Sequence, residues 1–256
     1  MQFTLGDIWQ HMGIPAMVVA ITLVIMGLAS LTVFIERILT LRRSRTASQA
    51  FATECGADID AGRFDHVVSR SEEYQAGHLA GVVRAGLATF RHAQKTVDIS
   101  GLTPVERTQR HLERYMEEVG GDLRRGLSVL ASVGSVAPFV GLLGTVLGII
   151  TAFQGIASSG SGGISSVSAG ISEALVETAL GLAVAIPAVL AFNYLSGKIA
   201  AQERSLNHAA GQLLDTIEDF AEREAMAGEN GASARSKAPR DRGDKSVGLV
   251  ASEAVA

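Results

Sequence analysis

The chain has 256 residues, is 47% hydrophobic, and carries 22 Lys and Arg against 26 Asp and Glu, for a net charge of −4. This composition is too apolar for a disordered chain, and it lacks the basic excess of a nucleic-acid-binding protein. The single cysteine, Cys55, excludes an internal disulfide framework and a cysteine-rich zinc site.

The positive charges fall into two blocks along the chain. Fourteen Lys and Arg lie between Arg37 and Arg125, eight lie between Lys198 and Lys245, and residues 1–36 and 126–197 contain none. A cation at the centre of a bilayer costs at least ~2.5 kcal/mol, so this segregation is typical of a chain that crosses a membrane. We therefore predict an all-α, polytopic membrane protein.

The first third of the chain predicts one crossing and a helical domain. Residues 1–13 include Trp9 and indicate a short interfacial helix. Residues 14–35 are 22 uncharged residues, enough for one helical crossing. No basic segment precedes them, so they do not resemble a signal peptide. Residues 36–127 predict a cytoplasmic helical domain, in which Thr103-Pro104-Val105-Glu106 is a capping box that begins a helix.

The rest of the chain predicts two more crossings. The stretch 126–172 is uncharged for 47 residues, too long for one crossing, and its middle is rich in Gly and Ser. We divide it into a crossing at 128–154, a periplasmic Gly/Ser loop at 155–170 and the start of a third crossing at 171–196. An apolar stripe then predicts a cytoplasmic C-terminal helix at 197–227, and the polar residues 228–256 predict a disordered tail.

Two crossings are expected to extend beyond the membrane as long helices. The helical pattern allows one rod from Thr103 to Phe153, ~75 Å long at 1.5 Å per residue, and a similar extension of the third crossing. The apolar faces of such extended helices must be covered by other helices, and further copies of the same chain are the simplest source of them. Cation bias places both charged blocks in the cytoplasm, so the N-terminus is expected outside and the C-terminus inside.

Small and polar residues share one side of the second crossing. Its small residues include Gly134, Gly141, Gly144 and Gly148, and Gly144 and Gly148 form a GxxxG pattern that favours close helix packing in lipid. At 100° per residue, Gly134, Pro138, Gly141 and Thr145 lie within roughly 40° of one line. The plain interpretation is helix packing, with the threonine bonded to its own backbone. The alternative is a polar seam.

The third crossing contains two carboxylates. Glu173 and Glu177 are four residues apart and share a face with Gly181, Thr178 lies one position around, and Pro187 follows. Desolvation favours the protonated form of such acids, which makes them candidate proton carriers. A position at the outer boundary in contact with water, a bound cation and a hydrogen bond at a subunit interface remain alternatives.

The sequence contains no pattern for covalent or metal chemistry. GxSxG, HExxH, Walker A and CxxC patterns are absent, and the histidines have no ligand-like spacing. We therefore predict no enzyme activity, metal or cofactor.

The two polar crossings carry recognisable motifs. SVGSVAPFVGLLGTVLGIITAFQGIA (Ser132–Ala157) and GISEALVETALGLAVAIPAVLAFNYL (Gly170–Leu195) closely resemble the proton-channel family of ExbB, TolQ and, more distantly, MotA. The resemblance matches Thr145 to the threonine of the family's GTV motif, Thr178 to that of its TAxGL motif, and Glu173 to its EAL glutamate. Pro138 and Pro187 match family prolines. Glu177 departs from the pattern, because a small residue is usual there. The resemblance implies a pore-lining proton pathway of Thr145, Thr178 and Glu173, and Glu177 adds a second carboxylate to it, which either alters the proton path or contacts the partner at the pore.

The resemblance also implies partners and a process. It implies a homopentamer in the bacterial inner membrane, surrounding a dimer of a single-span partner of the ExbD/TolR type. The transmembrane aspartate of that partner would be the principal proton carrier, with this chain as the polar wall beside it. The expected process is TonB-type import, Tol-type envelope maintenance or a gliding-type motor, through a TonB-, TolA- or gliding-machinery-type partner. The alternative is a non-conducting scaffold that clusters single-span helices.

Overall fold

All secondary structure in the described part of the chain is helical. The computed structural model describes residues 13–96, 101–159 and 164–236. Its helices are α1 (Ile14–Asp60), α2 (Phe64–Ser71), a 3₁₀ turn (Glu72–Tyr74), α3 (His78–Lys95), α4 (Pro104–Arg124), α5 (Leu127–Ser159) and α6 (Ile164–Ser236). Since these ranges contain no strand, the predicted all-α class is confirmed.

Three of these helices are long and apolar enough to cross a membrane. They are α1, the Leu127–Gly155 part of α5 and the Ser168–Ala227 part of α6. Large apolar side chains on them are exposed, among them Phe139 at 70% and Leu190 at 64%. Lipid or other helices can cover such surfaces, whereas water would not stabilise them. The three predicted membrane helices are therefore confirmed.

The three membrane helices form one small bundle. Val19 and Leu23 of α1, Val133 and Ala137 of α5, and Ala185 of α6 belong to its buried core. A Cβ built on Gly27 of α1 would lie 3.4 Å from Val184 of α6. A Cβ on Gly13, at the start of α1, would lie 3.5 Å from Thr151, near the end of α5. Helix α1 therefore runs parallel to α6 and antiparallel to α5.

A second core lies beyond the charged ends of these helices. Phe64 of α2, Phe90 of α3 and Phe220 of α6 meet edge to face, with ring centroids 4.8–6.5 Å apart. Leu112 of α4 and Phe51 of α1 are buried in the same cluster. Helices α1 and α6 run through both cores, so the membrane bundle and the charged domain are joined by continuous helix.

A partly buried polar cluster connects α1, α3 and α6 in the charged domain. The Ser44 hydroxyl accepts hydrogen bonds from the Gln202 side-chain amide, at 3.0 Å, and from the His78 backbone N–H, at 3.4 Å. It is therefore placed to donate its own hydrogen to Nδ1 of His78, a contact that the structure also contains. Burial lowers the pKa of His78, opposed by the charge of Asp122. The cluster thus suits a neutral imidazole.

The predicted rod from Thr103 to Phe153 is wrong. The capping box is confirmed, because the Glu106 N–H donates to Thr103 Oγ1 at 3.1 Å and the Thr103 N–H donates to the Glu106 carboxylate at 2.8 Å. The helix that it begins ends at Arg124, and Gly126 has φ 81°, in the left-handed region that interrupts a right-handed helix. Among the described helices, α1 and α6 are the two that continue from an apolar segment into the charged domain.

Two other predicted boundaries differ from those in the structure. The loop at 155–170 is too long, since residues 155–159 belong to α5 and residues 164–170 to α6. Likewise, residues 228–236 of the predicted disordered tail are helical. A few Gly residues cost ~1 kcal/mol each in a helix, which a long cooperative helix tolerates. The interfacial helix at 1–13, except Gly13, and the tail at 237–256 lie outside the described residues.

Candidate functional site

Helices α5 and α6 approach each other along a line of small residues. A Cβ on Gly141 would lie 2.9 Å from the Glu177 carbonyl oxygen and 3.2 Å from the Cα of Gly181. A Cβ on Gly134 would lie 2.5 Å from Val189, and one on Gly148 would lie 3.1 Å from Ala174. The glycines therefore permit backbone-to-backbone contact, as close packing in lipid requires. We call this contact the α5–α6 seam.

The two threonines lie on one flank of the seam. Thr178 Oγ1 donates to the carbonyl oxygen of Gly141 across the seam, at 3.2 Å. Thr145 Oγ1 donates to the carbonyl oxygen of Leu142 in its own helix, at 2.6 Å. Both threonines are half-buried. In the single chain, each therefore keeps part of its surface open to whatever lies beside this flank.

The two glutamates lie on a different side of α6. Glu177 and Val184 are seven residues apart, 20° short of two full helical turns, so they point in almost the same direction. Val184 contacts Gly27 of α1, so Glu177 lies on the face of α6 that is directed towards α1. Thr178 is 100° further around. Glu173 lies on the same side of α6 as Glu177, about one turn nearer the start of the helix.

The Glu177 side chain fills the space left by a missing side chain on α5. It is 1% exposed, and a Cβ on Gly144 would overlap its carboxylate group. Both carboxylate oxygens are shielded from solvent and have no hydrogen-bond partner among the described residues. Glu173 is half-buried, and its Oε1 atom is shielded from solvent. The side of the seam that faces α1 therefore carries the two carboxyl groups, and the other side carries the hydroxyl groups of Thr145 and Thr178.

The two prolines interrupt the helical hydrogen bonding near the seam. Pro138 lies within α5 and is half-buried, and Pro187 lies within α6 and is exposed. A proline has no N–H, so the carbonyl groups of Gly134 and Ala183, four residues earlier, lack their usual helical donors. These carbonyls add polar groups to an otherwise apolar stretch.

Sequence periodicity grouped these residues without separating the two flanks. The predicted proton pathway grouped Glu177 with Thr178, and the structure places the carboxyl group of Glu177 against Gly144. Sequence periodicity also gave no signal for Gly27 and Val184, whose contact defines the α1-facing side. The sequence did indicate that the side chains of residues 177 and 178 point 100° apart around α6. Which of them faces α1 depends on where α1 lies, and the sequence does not give that position.

The polar seam coincides with a known family region. The MotA/TolQ/ExbB proton channel family matches residues 78–208, which include every candidate residue from Gly134 to Pro187. Among similar proteins, a biopolymer transport protein ExbB of Salmonella typhimurium is 32% identical over 207 residues, 80% of this chain and 83% of that protein.

Two further relatives are similar to different extents. A Tol-Pal system protein TolQ of Pseudomonas aeruginosa is 31% identical over 185 residues, 72% of this chain and 80% of the relative. A biopolymer transport protein ExbB of Pseudomonas putida is 32% identical over 133 residues, 52% of this chain and 40% of that protein. The similarity therefore extends to both the ExbB and the TolQ branches.

Proposed function

Since the chain belongs to the MotA/TolQ/ExbB proton channel family, we propose that it is the proton-channel subunit of an inner-membrane motor. The motor uses the proton motive force to energise an envelope process through a single-span partner of the ExbD/TolR type. The observation that carries this proposal is the hydroxyl-bearing flank of the seam, where Thr145 and Thr178 interrupt an apolar surface without being fully buried.

The proposed assembly is a homopentamer around a dimer of the partner. The exposed apolar side chains of the three membrane helices are compatible with subunit contacts as well as with lipid. In this assembly the threonine flank faces the pore and the transmembrane aspartate of the partner, with Glu173 near the periplasmic end. The N-terminus is periplasmic and the C-terminus cytoplasmic, following the cation bias.

In the proposed mechanism, protons pass from outside to inside along this flank by way of the partner aspartate. Protonation removes the charge of the aspartate and so its attraction to the polar wall. Movement of one charge across the membrane supplies ~2.3 kcal/mol per 100 mV, enough to shift the balance between two packed states. The partner then moves relative to the pentamer and delivers force outside the membrane, to a TonB-, TolA- or gliding-machinery-type component.

The alternative function is a non-conducting scaffold that clusters single-span helices. The close approach at Gly134, Gly141 and Gly148 serves a scaffold equally well. A scaffold has no need for hydroxyl groups on an exposed flank. The two functions therefore differ in what the loss of those hydroxyls does.

Proton flux into liposomes under an imposed potential tests the proposal. The chain is co-reconstituted with its partner, and wild type is compared with Thr145→Ala, Thr178→Ala and Glu173→Gln, with assembly checked for each. Thr151→Ala is a matched control, because Thr151 also bonds to its own helix, to the Leu147 carbonyl at 2.9 Å, but lies outside the proposed pathway. We expect flux to fall in the first three variants and to persist in the control. An intact complex that conducts no protons would establish the scaffold instead.

A further inference from the structure

Glu177 is a buried acid that the proposed proton pathway does not use. Its side chain is 1% exposed in a single copy of the chain, so no assembly of subunits is needed to bury it. Neither carboxylate oxygen has a hydrogen-bond partner among the described residues. A carboxyl group in such a place is either neutral or bound to something that compensates its charge.

Among the described residues, the helix segments around Glu177 carry no cationic side chain that could compensate a negative charge. The neighbouring hydroxyl of Thr178 donates to the Gly141 carbonyl, and that of Thr145 donates to the Leu142 carbonyl. The membrane part of α1, residues 14–35, and all of α5 contain no charged or histidine side chain. On α6 itself the nearest titratable group is Glu173, which carries the same sign of charge.

The packing against Gly144 leaves little room for a hydrated ion. A Cβ there would overlap the carboxylate, so the carboxyl group already occupies the space between the two helices. The backbones are in contact just beyond it, where a Cβ on Gly181 would lie 2.8 Å from the Ala137 carbonyl oxygen. A proton on the carboxyl group fits there without moving the helices.

We propose that Glu177 is a proton-binding site inside each subunit, separate from the threonine flank, and that release of its proton opens the α5–α6 contact at Gly144. The bound proton makes the carboxyl group neutral, so that it packs against Gly144. Loss of the proton leaves a carboxylate that needs water or a cation, and either can reach it only if the helices separate. That protons reach this part of the membrane rests on the proposed function. The site itself rests on the burial of Glu177.

Infrared spectroscopy of the full chain in liposomes, without any partner, tests the site. Spectra recorded at neutral pH are compared between wild type, Glu177→Gln and the matched control Glu173→Gln, which removes the other membrane carboxyl. We expect the carbonyl stretch of a protonated carboxylic acid in wild type, its loss in Glu177→Gln and its retention in Glu173→Gln. Persistence of that band in Glu177→Gln would overturn the proposal, as would its loss from wild type on adding sodium chloride, which would indicate a sodium site.

A second variant protects this test against misfolding of Glu177→Gln. The substitution Gly144→Ala fills the space that the Glu177 carboxyl group occupies, so that group must move away; the added Cβ would also lie 2.9 Å from the Cβ of Glu177, so α5 and α6 must shift slightly as well. We expect the band to shift or disappear in Gly144→Ala while the chain stays helical. An unchanged band would show that Glu177 does not occupy this space.

Amide hydrogen exchange tests the opening of the contact. At the same alkaline pH, exchange around Gly144 is expected to be faster in wild type than in Glu177→Gln, because only wild type can ionise there. Equal exchange in the two proteins would refute the coupling. Both measurements use the chain alone and involve no flux, so a chain that conducts nothing still gives a clear result. Failure of the proposed function is therefore distinguishable from failure of this inference.

Discussion

Gly141→Ala provides the sharpest test of the α5–α6 seam. The added Cβ would lie 2.9 Å from the Glu177 carbonyl oxygen, 3.1 Å from the Cα of Thr178 and 3.2 Å from the Cα of Gly181. All three atoms belong to backbone, so a rotamer change cannot relieve the contact. The two helices must separate, and such overpacking costs ~1–3 kcal/mol.

Gly197→Ala is the matched control for this substitution. Gly197 lies within α6 and nothing would lie within 4 Å of its Cβ. Both substitutions gain the same helix propensity, up to ~1 kcal/mol, so this gain cancels when the two variants are compared. Gly141→Ala is therefore expected to be less stable than Gly197→Ala by ~1–3 kcal/mol.

The assay is unfolding of each variant in mixed detergent micelles, titrated with sodium dodecyl sulfate and followed by far-ultraviolet circular dichroism. We expect Gly197→Ala to unfold at the same or a higher detergent fraction than wild type, and Gly141→Ala at a lower one. If Gly141→Ala is as stable as Gly197→Ala, the two backbones are not in contact at this point. The described geometry of the seam would then be wrong.

Three further outcomes are expected from the part of the chain outside the membrane. Gly126→Ala places a Cβ on a residue with φ 81°, 3.1 Å from Val33, and should lower the free energy of unfolding by ~1–2 kcal/mol. Gly121→Ala is the control, because its Cβ would lie in open space within α4 and should not lower stability. Thermal unfolding in detergent compares the two variants. Thr103→Ala removes the capping box of α4 and should cost ~1 kcal/mol in the same assay. Burial lowers the pKa of His78 below 6.5, so the unfolded chain binds a proton at this histidine more readily than the folded chain does. Wild type should therefore lose stability as the pH falls below about 6.5, and His78→Gln should lose less. Melting curves at several pH values test this expectation.

Much of the architecture followed from the sequence, because the relevant signals are local. Three apolar segments and two blocks of cations identify membrane helices through the free energy of moving charge into lipid, whatever the tertiary structure. The capping box at Thr103 is also local, since its partners are three residues apart. The motifs around Thr145 and Thr178 likewise identified the family region from the chain alone.

Only the tertiary structure decided where the helices break and which way their side chains point. Gly126 is compatible with a continuous helix by propensity, and it breaks the helix in a left-handed conformation, where α4 ends beside Val33 of α1. Glu177 and Thr178 are adjacent in sequence, but the position of α1 assigns them to opposite flanks of the seam. Periodicity gives the angle between two side chains on one helix, and only packing against the other helices determines what each of them faces.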